Sequence, residues 1–490
     1  MKKGKPLLTE AFSPEAFRFM YLLVSLLGVC PLVAPVIEPY MKLLHVYALA
    51  VLIVDLAGER RVLRNKGRVL LVIFALSYGC TMLTNRNLFG FSFLSNFLYY
   101  SEGLALVYSF GKRSEARSRF TERFFAVAIS CANLVGIGMF FGKYYHYVLK
   151  RGCIGMYPAE NRLAGLFGNP NVLGMVCLGG IVLCCIRAVD EKKKGWKIFF
   201  WVLAFVNFVT LLLANSRTQI YSVVLMAAVT AFTWMLKVRP DGKRFWRAAL
   251  AGILCAAVVF TGGRLLQRGM SRLDVNYEYY LLNISTRRND LLDQYEELIQ
   301  EEENRTDGNK KPILNPGTID TIEREETQGF NGRADLWKMG WKLFLARPVF
   351  GTGMDNHDHA LAKLGMDALP VRGNFHNAYL EVLVDFGLVG FACLAAFLLV
   401  MLADVLRFFQ YSDGTDWALH AVLLGGVAAF LMDGLADSTL VSSLYPTAVF
   451  FWMTASRYAA LLEKENTRAG HFRPGLLCRW TDALAAKRRG

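Results

Sequence analysis

The chain has 490 residues, of which 54% are hydrophobic and 19% charged, with a mean hydropathy of +0.31. Soluble globular proteins carry about 25% charged residues, so this composition excludes a soluble enzyme, a secreted disulfide scaffold and a disordered protein. The net charge of +15 comes from Lys and Arg that lie mainly between apolar runs, so membrane topology explains it better than nucleic acid binding does.

The apolar runs predict an all-α polytopic membrane protein. A helix of about 17 to 25 apolar residues spans a bilayer, and we count about twelve such runs. The first contains Pro31 and Pro35 and lacks a small-residue cleavage site, which predicts an anchor and not a removable signal peptide. The predicted spans are 17–37, 41–57, 69–84, 88–109, 124–142, 170–189, 197–214, 219–237, 246–262, 386–407, 417–436 and 440–461.

One polar stretch interrupts the regular spacing of the spans. Residues 1–262 and 386–461 form the predicted membrane domain, and 263–385 form one large loop between the ninth and tenth spans. The loop is expected to build a partly helical cap, with a flexible insertion near 304–328 inside a longer acidic segment at 290–328. Residues 462–490 form a basic tail.

Lys and Arg alternate between the connections. They are abundant after the second, fourth, sixth and eighth spans, whereas the connections after the third and seventh spans hold only Arg86 and Arg217. Because basic connections stay in the cytoplasm, both termini are predicted to be cytoplasmic and the long loop extracytoplasmic. Of the ten cysteines only Cys153 is then outside, so no exterior disulfide is expected within the chain. The inside residues include Arg60, Arg61, Arg64, Arg113, Arg117, Arg119, Arg123, Arg187, Lys192, Lys193 and Lys243.

Two outer connections carry candidate anion contacts. Arg217 is the only charge between Lys197 and Lys237; its guanidinium either reaches toward lipid phosphate or grips a substrate phosphate. Before the sixth span, Asn169 and Asn171 are candidates to cap the helix. Arg162 has no such structural reason and is a second candidate anion contact.

Two segments of the long loop add a cation and a histidine. Leu336, Met339, Leu343 and Phe344 fall on one face of a predicted helix, and Arg333 at its start opposes the helix dipole, which calls for an anionic partner. His376 precedes the tenth span, with Asn377 beside it.

Three other features of the outer side are weaker candidates. Asp433 and Asp437 lie near the outer end of the eleventh span, where acids are costly and usually functional or paired. Residues 355–359 have metal-ligand chemistry without the spacing of a defined metal site, so no metal is expected.

Together these motifs resemble the O-antigen ligase and polymerase superfamily, the bacterial lipid-linked polysaccharide ligases. The resemblance covers the spans, the cytoplasmic ends and the large loop, although the insertion at 290–328 is longer than the family's loops and leaves the acceptor surface open. The matching residues are Arg162, Gly165, Phe167, Pro170, Asn171, Ser216, Arg217, Gly332, Arg333, Leu336, Trp337, Pro348, Gly351, Gly353, His376, Asn377, Tyr379, Leu380, Glu381, Gly387 and Gly390.

The resemblance implies a metal-independent, GT-C-like glycosyltransferase of the bacterial cytoplasmic (inner) membrane that needs no cofactor. The donor is a glycan on polyprenyl (undecaprenyl) pyrophosphate, and a glycan, lipid, cell-wall or protein hydroxyl is the acceptor. Arg217 and Arg333 are expected to hold the pyrophosphate and His376 to serve the acceptor. Arg162, Asn171, Asn377 and, by region only, Asp433 are the expected substrate-binding residues.

The chemistry of these residue types agrees with that reaction. Fixed cations stabilise the charge that grows on a departing pyrophosphate, and a neutral imidazole can take the proton of the acceptor hydroxyl or orient it. The sequence does not separate a ligase from a polymerase.

Two other functions, transport and a scaffold role, stay open beside glycan transfer. A transporter is the commonest role for about twelve spans, but it calls for internal repeats, and residues 1–245 and 246–490 show no convincing one. The other alternative is an inert scaffold for an envelope complex.

Overall fold

The structure is a computed structural model that describes most of the chain. It describes residues 11–57, 68–85, 97–108, 114–148, 152–157, 162–238, 244–272, 330–354, 356–366, 375–411, 416–437, 440 and 446–468. The predicted insertion near 304–328, the acidic segment at 290–328, Asp355 and the tail beyond 468 lie outside the described residues.

The described part of the chain is a bundle of long apolar helices. Six of its helices are long and apolar enough to cross a membrane, and Leu43–Ala57, Val69–Thr84 and Trp417–Asp433 are shorter apolar helices. This confirms a helical membrane protein, while the number of spans stays a prediction. The helices are α1 (Pro14–Gly28), α2 (Ala34–Ala57), α3 (Arg68–Thr84), α4 (Leu104–Val107, after a π-helical turn at Tyr99–Gly103), α5 (Ser114–Phe141), α6 (Pro170–Asp190), α7 (Lys194–Ala214), α8 (Arg217–Val238), α9 (Arg244–Arg272), α10 (Phe330–Ala346), α11 (His357–Lys363), α12 (Ala378–Tyr411), α13 (Trp417–Asp433) and α14 (Pro446–Arg468).

Several helix ends differ from the hydropathy boundaries. α1 ends at Gly28 and α2 begins at Ala34, so the first break falls around Pro31 and not after residue 37. α9 continues to Arg272 and α12 begins at Ala378, both inside the predicted loop at 263–385. Hydropathy detects only the apolar part of a helix, whereas the backbone hydrogen bonds continue through its polar ends.

A small antiparallel sheet adds to the all-α fold that the sequence predicts. Its strands, in the order β1–β2–β3, are β1 (Tyr145–Val148), β2 (Gly152–Tyr157) and β3 (Arg162–Gly165). Gly155 has φ +87°, and a Cβ there would collide with the Tyr144 carbonyl, so this position requires glycine. The sheet packs against α5 and α6 and places Arg162 beside the first turn of α6.

α12 is broken at Gly387, and the segment after α10 fills the break. Gly387 has φ +65°. The N–H groups of Leu388 and Val389 donate to the carbonyls of Pro348 (2.7 Å) and Val349 (3.3 Å), and the Thr352 N–H donates to Val384 O (2.7 Å). Since unpaired backbone groups are costly in a membrane, these bonds fix the end of α10 against α12.

The two ends of the bundle carry different polar clusters. We call the end that holds Arg162, the α7–α8 turn and the start of α12 the site end. At the other end, the opposite end, α5, α6 and α14 contribute Arg119, Glu122, Arg123, Arg187, Asp190, Glu191 and Arg457 to an ion network.

The network is largely buried. Arg187 is fully buried and donates to Asp190 (2.7 Å), which also accepts from Arg457 (2.8 Å). Arg123 donates two bonds to Glu191, at 2.7 and 2.8 Å. Arg123 and Arg187 are counted among the basic connections in the sequence, but the structure places them inside helices and pairs them with acids.

We predict that Glu191→Gln lowers the thermal unfolding midpoint in detergent at pH 7. Partial burial alone would raise the pKa of Glu191, but hydrogen bonds from Arg123 and Arg187 outweigh it, and the pKa lies below its ordinary value. The carboxylate therefore stabilises the fold above the unfolded-state pKa, and this stabilisation is lost as pH falls through the folded-state pKa. Because the buried Arg187 keeps Glu122 and Asp190 as partners, the expected cost is that of a lost charged hydrogen bond, about 1–3 kcal/mol.

The pH dependence separates this charge effect from a packing defect. The midpoints of wild type and Glu191→Gln, followed by intrinsic fluorescence, are expected to converge as pH falls through the ordinary pKa of a glutamate and on through the lower folded-state pKa. A difference that stays constant over this whole acid range would contradict the prediction.

Candidate functional site

The first part of the site is the start of α6. Asn169 caps this helix, because its side chain accepts a bond of 2.7 Å from Asn171 N, and Pro170 follows at the first helical position. This confirms Asn169 as one of the two predicted capping candidates. Asn171 has a different contact: its Oδ1 accepts from Arg162 Nη2 at 2.7 Å.

Arg162 links this helix start to the turn between α7 and α8. Its Nε donates to the Ala214 carbonyl at 2.8 Å. The guanidinium therefore donates two hydrogen bonds, one to Ala214 and one to Asn171, and these fix its positive charge at the site end. Asn215 in the same turn has a left-handed conformation, with φ 49°, and accepts from Gln267 of α9 at 3.2 Å.

A chain of hydrogen bonds continues from Asn171 to Asp433. The Ser216 hydroxyl lies 3.2 Å from Asn171 Oδ1 and also contacts the Gln219 side chain. Gln219 Nε2 donates to Asp433 Oδ1 at 2.6 Å, and both side chains are fully buried. The structure thus brings Arg162, Asn171 and Asp433 into one polar cluster that spans α6, α8 and α13.

The end of α13 also receives the start of α12. Ala378 N donates to Gly434 O (2.8 Å) and Asp437 O (3.1 Å). Asn377 Nδ2 donates to Leu435 O (3.1 Å), while its Oδ1 accepts from the N–H groups of Tyr379 (3.1 Å) and Leu380 (3.0 Å). Asn377 is therefore the N-cap of α12 and connects it to α13.

His376 lies at this junction beside Asp437. Its Nδ1 is 3.3 Å from Asp437 Oδ1, and 27% of the imidazole is exposed. A carboxylate can only accept, so this contact favours a proton on Nδ1 and leaves Nε2 as the basic nitrogen. His376 has φ +47°, a left-handed conformation that is uncommon outside glycine, although histidine adopts it more often than most residues do.

Three contacts on Phe375 fix the backbone next to His376. The Phe375 N–H donates to Glu381 Oε1 at 3.0 Å, and its carbonyl accepts from Trp337 Nε1 at 3.0 Å. Its ring packs against the ring of His357, with centroids 4.9 Å apart. These contacts hold the chain on one side of His376, and the Asn377 cap holds it on the other.

Behind Phe375, His357 and Asp385 form a buried pair. His357 Nε2 is 2.6 Å from Asp385 Oδ1, and both side chains are almost fully buried. The sequence offers metal chemistry at 355–359 as the only function for His357. No group of three or more His, Cys, Asp or Glu positioned for a metal occurs among the described residues.

The two arginines expected to hold a pyrophosphate lie on different elements. Arg217 opens α8, and its side chain is exposed. Within the described ranges no hydrogen bond or ion pair of Arg217 is found. Arg333 is half-buried in the first turn of α10, one helical turn before Trp337, so it shares the helix face that contacts Phe375.

α6, α8 and α12 begin at the site end, whereas α7 and α13 end there, so the positive partial charges of the helix starts lie beside the negative ones of the helix ends. The preference of the site end for anions therefore depends on its arginines. Cys153 of β2 does not add a nucleophile, because burial raises the pKa of its thiol to about 11 and keeps it protonated at neutral pH.

Sequence reasoning does not single out Gln219 or Asp385 as members of the site. A polar residue inside an apolar helix is the one available signal for both. Trp337 is among the residues that carry the family resemblance, but its contact with the Phe375 carbonyl, 38 positions away, is not predicted.

The fold and the polar cluster define a helical membrane protein with a cationic, histidine-containing site at one end of its bundle. Residues 202–395 match the family model described as O-Antigen ligase. This match confirms the resemblance to the O-antigen ligase superfamily and supports glycan transfer at a bacterial inner membrane in polysaccharide biosynthesis. It includes Arg217, Arg333 and His376, whereas Asp433 lies outside it. No curated protein matches the chain.

We predict opposite effects for two substitutions of Asn171. Asn171→Leu removes the acceptor for Arg162 and Ser216 and is expected to cost about 1–3 kcal/mol of stability. Asn171→Asp keeps both acceptors and adds a negative charge in the first turn of α6, so its unfolding midpoint in detergent should equal or exceed that of wild type. Equal midpoints for Asn171→Leu and wild type would show that the cluster does not stabilise the fold.

Proposed function

We propose that the protein moves a glycan from a polyprenyl (undecaprenyl) pyrophosphate donor to an acceptor hydroxyl at the site end of the bundle, which faces the outside of the cytoplasmic membrane. The observation that carries the proposal is the His376–Asp437 pair, which lies at the same end of the bundle as the exposed Arg217; His376 and Arg217 both fall within the matched residues 202–395. The other residues of the site are proposed to act as the base, to stabilise the leaving group or to bind the substrate.

His376 acts as the base toward the acceptor. Asp437 holds Nδ1 in its protonated form, so Nε2 can accept the hydroxyl proton as the new glycosidic bond forms. The left-handed backbone of His376, fixed by Phe375 and Asn377, keeps the imidazole at the junction of α12 and α13.

Arg217 and Arg333 stabilise the leaving group. The acceptor oxygen bonds to the anomeric carbon while the bond from that carbon to the phosphate oxygen breaks, and the electron pair leaves with the pyrophosphate. Two guanidinium groups can neutralise this charge without a metal. A single displacement inverts the anomeric configuration, which NMR of the product linkage tests.

An apolar crevice fits the isoprenoid chain of such a donor. It has a volume of about 550 Å³ between α7, α8 and α9, and Phe205, Val258, Gly262 and Leu266 are among its lining residues. Leu266 is followed by Gln267, which donates to Leu212 O in the last turn of α7 (3.2 Å) and to Asn215 Oδ1 in the α7–α8 turn (3.2 Å). A chain in this crevice would bring its pyrophosphate toward Arg217.

Arg162, Asn171 and Asn377 form the wall that contacts the donor glycan, and each has protein partners that fix the direction of its side chain. Asp433 is fully buried and supports this wall through its bond from Gln219. Binding groups held in this way lose little entropy when the substrate arrives. Whether the acceptor is a second lipid-linked glycan or a different molecule distinguishes a polymerase from a ligase.

The decisive test is turnover in proteoliposomes that contain lipid-linked glycan and the lipid fraction of the source cell. We expect wild type to release free polyprenyl pyrophosphate, and His376→Ala to be slower by about 10²–10⁴-fold because the base is lost. His146→Ala is the matched control, since His146 is exposed on β1 and close in sequence to the site elements; it should turn over like wild type.

The product separates the remaining possibilities. A ladder of glycan sizes indicates a polymerase, and a single shift of one acceptor indicates a ligase. Absence of release by folded wild type would refute the transferase, and solute uptake that survives His376→Ala would then favour transport.

A second prediction concerns the binding of the pyrophosphate by Arg217. Arg217→Ala should lower kcat by about 10²–10³-fold. Arg217→Lys should restore only part of the activity, because a lysine cannot make the paired bonds of a guanidinium. Arg407→Ala, at the opposite end of α12, is the control and should leave kcat unchanged. Full activity of Arg217→Lys would indicate that charge alone suffices.

A further inference from the structure

α10 has two apolar faces, and the bundle covers only one of them. Leu336, Leu343 and Phe344 face inward and pack with Phe375 and Val384 in a second hydrophobic cluster. The outward face is also apolar. Trp341 (49% exposed) and Leu345 (59%) lie one turn apart on this face, and Val349 (51%) follows three residues after the helix ends; we call these three residues the outer stripe.

The outer stripe lies level with the ends of two bundle helices. Val349 O accepts from Val389 N of α12, and Pro348 O accepts from Leu388 N. On the other side, the Phe350 carbonyl accepts from Thr81 in the last turn of α3. The end of α10 is therefore located at the site-end boundary of the membrane helices and not out in the solvent.

The stripe continues onto a membrane helix. Leu388 is bonded to Pro348, next to Val349, and is itself 52% exposed on α12, a helix long and apolar enough to cross a membrane. A side chain on the outside of such a helix faces lipid. Exposed apolar side chains that adjoin it without interruption share the same surroundings.

Basic side chains accompany the stripe. Lys342 is exposed one residue after Trp341, and Lys338, three residues before it, is exposed and paired with Asp335 at 2.8 Å. A helix face that combines tryptophan and leucine with lysine is typical of helices that lie in the headgroup region of a bilayer, where the ring sits among the headgroups and the ammonium groups contact lipid phosphate.

We propose that the outer stripe is a lipid-binding surface that seats α10 in the headgroup region of the membrane leaflet at the site end. Phospholipid is the partner. The proposal goes beyond glycan transfer and does not depend on it. Its consequence is that the bilayer itself holds the helix that carries Arg333 and positions Phe375 through Trp337.

The test is quenching of Trp341 fluorescence in proteoliposomes by phospholipids that carry a nitroxide near the headgroup. The chain has nine tryptophans, so the signal of one is obtained by subtracting the spectrum of a Phe variant from that of wild type. We expect the Trp341 signal, from Trp341→Phe, to be quenched by the shallow nitroxide and protected from aqueous iodide.

The matched control is Trp452, whose side chain is 1% exposed inside the bundle. Its signal, from Trp452→Phe, should be insensitive to both quenchers. Both variants must keep the wild-type elution profile and unfolding midpoint. Quenching of the Trp341 signal by iodide, without quenching by the nitroxide lipid, would overturn the proposal by placing the stripe in water.

Discussion

The break in α12 at Gly387 is the constraint on which the site depends. A helix interrupted near a membrane must pair the backbone groups that the break releases, and here the segment after α10 supplies the partners through Pro348, Val349 and Thr352. Only glycine allows this approach, because a Cβ at Gly387 would collide with Val349, and one at Gly351 with Val384 and Asp385. The glycines of the sequence motif thus have a structural reason.

This join fixes the position of α10 and, through it, the turn that carries His376. α10 reaches Phe375 through Trp337, and α12 reaches it through Glu381. Both bonds end on the backbone of one residue. The conformation of His376 is therefore set by two helices that the Gly387 break holds together, which explains how a left-handed histidine persists in an otherwise regular bundle.

The sequence predicts the helices well because their apolar runs are long and local, and most predicted spans correspond to observed helices. It also predicts the Asn169 cap and the buried face of α10, both of which follow from residues a few positions apart. The β-sheet is missed because its strands are short and glycine-containing and depend on pairing, such as Tyr145 with Gly155, that no local pattern reveals. The roles proposed for Arg217, Arg333 and His376 stay predictions.

The pairs that sequence reasoning misses join distant parts of the chain. His357 and Asp385 are separated by 28 positions, and Arg457 reaches Asp190 across 267. Hydrophobic periodicity shows which face of a helix is buried. It does not show which face of which other helix packs against it. Arg187 therefore counts as a topological charge in the sequence, although in the structure its charge is neutralised inside the protein.

The two ends of the bundle use arginine in contrasting ways, and the contrast argues for an anionic ligand at only one of them. At the opposite end, Arg187 and Arg457 share buried carboxylates, so little positive potential is left to attract a ligand. At the site end Arg162 donates to the oxygens of Ala214 and Asn171, and Arg217 is exposed with no carboxylate partner in the described parts of the chain. An exposed cation that no carboxylate neutralises raises the local potential. Under the proposed function, this is the potential that draws a donor pyrophosphate toward the end where His376 lies.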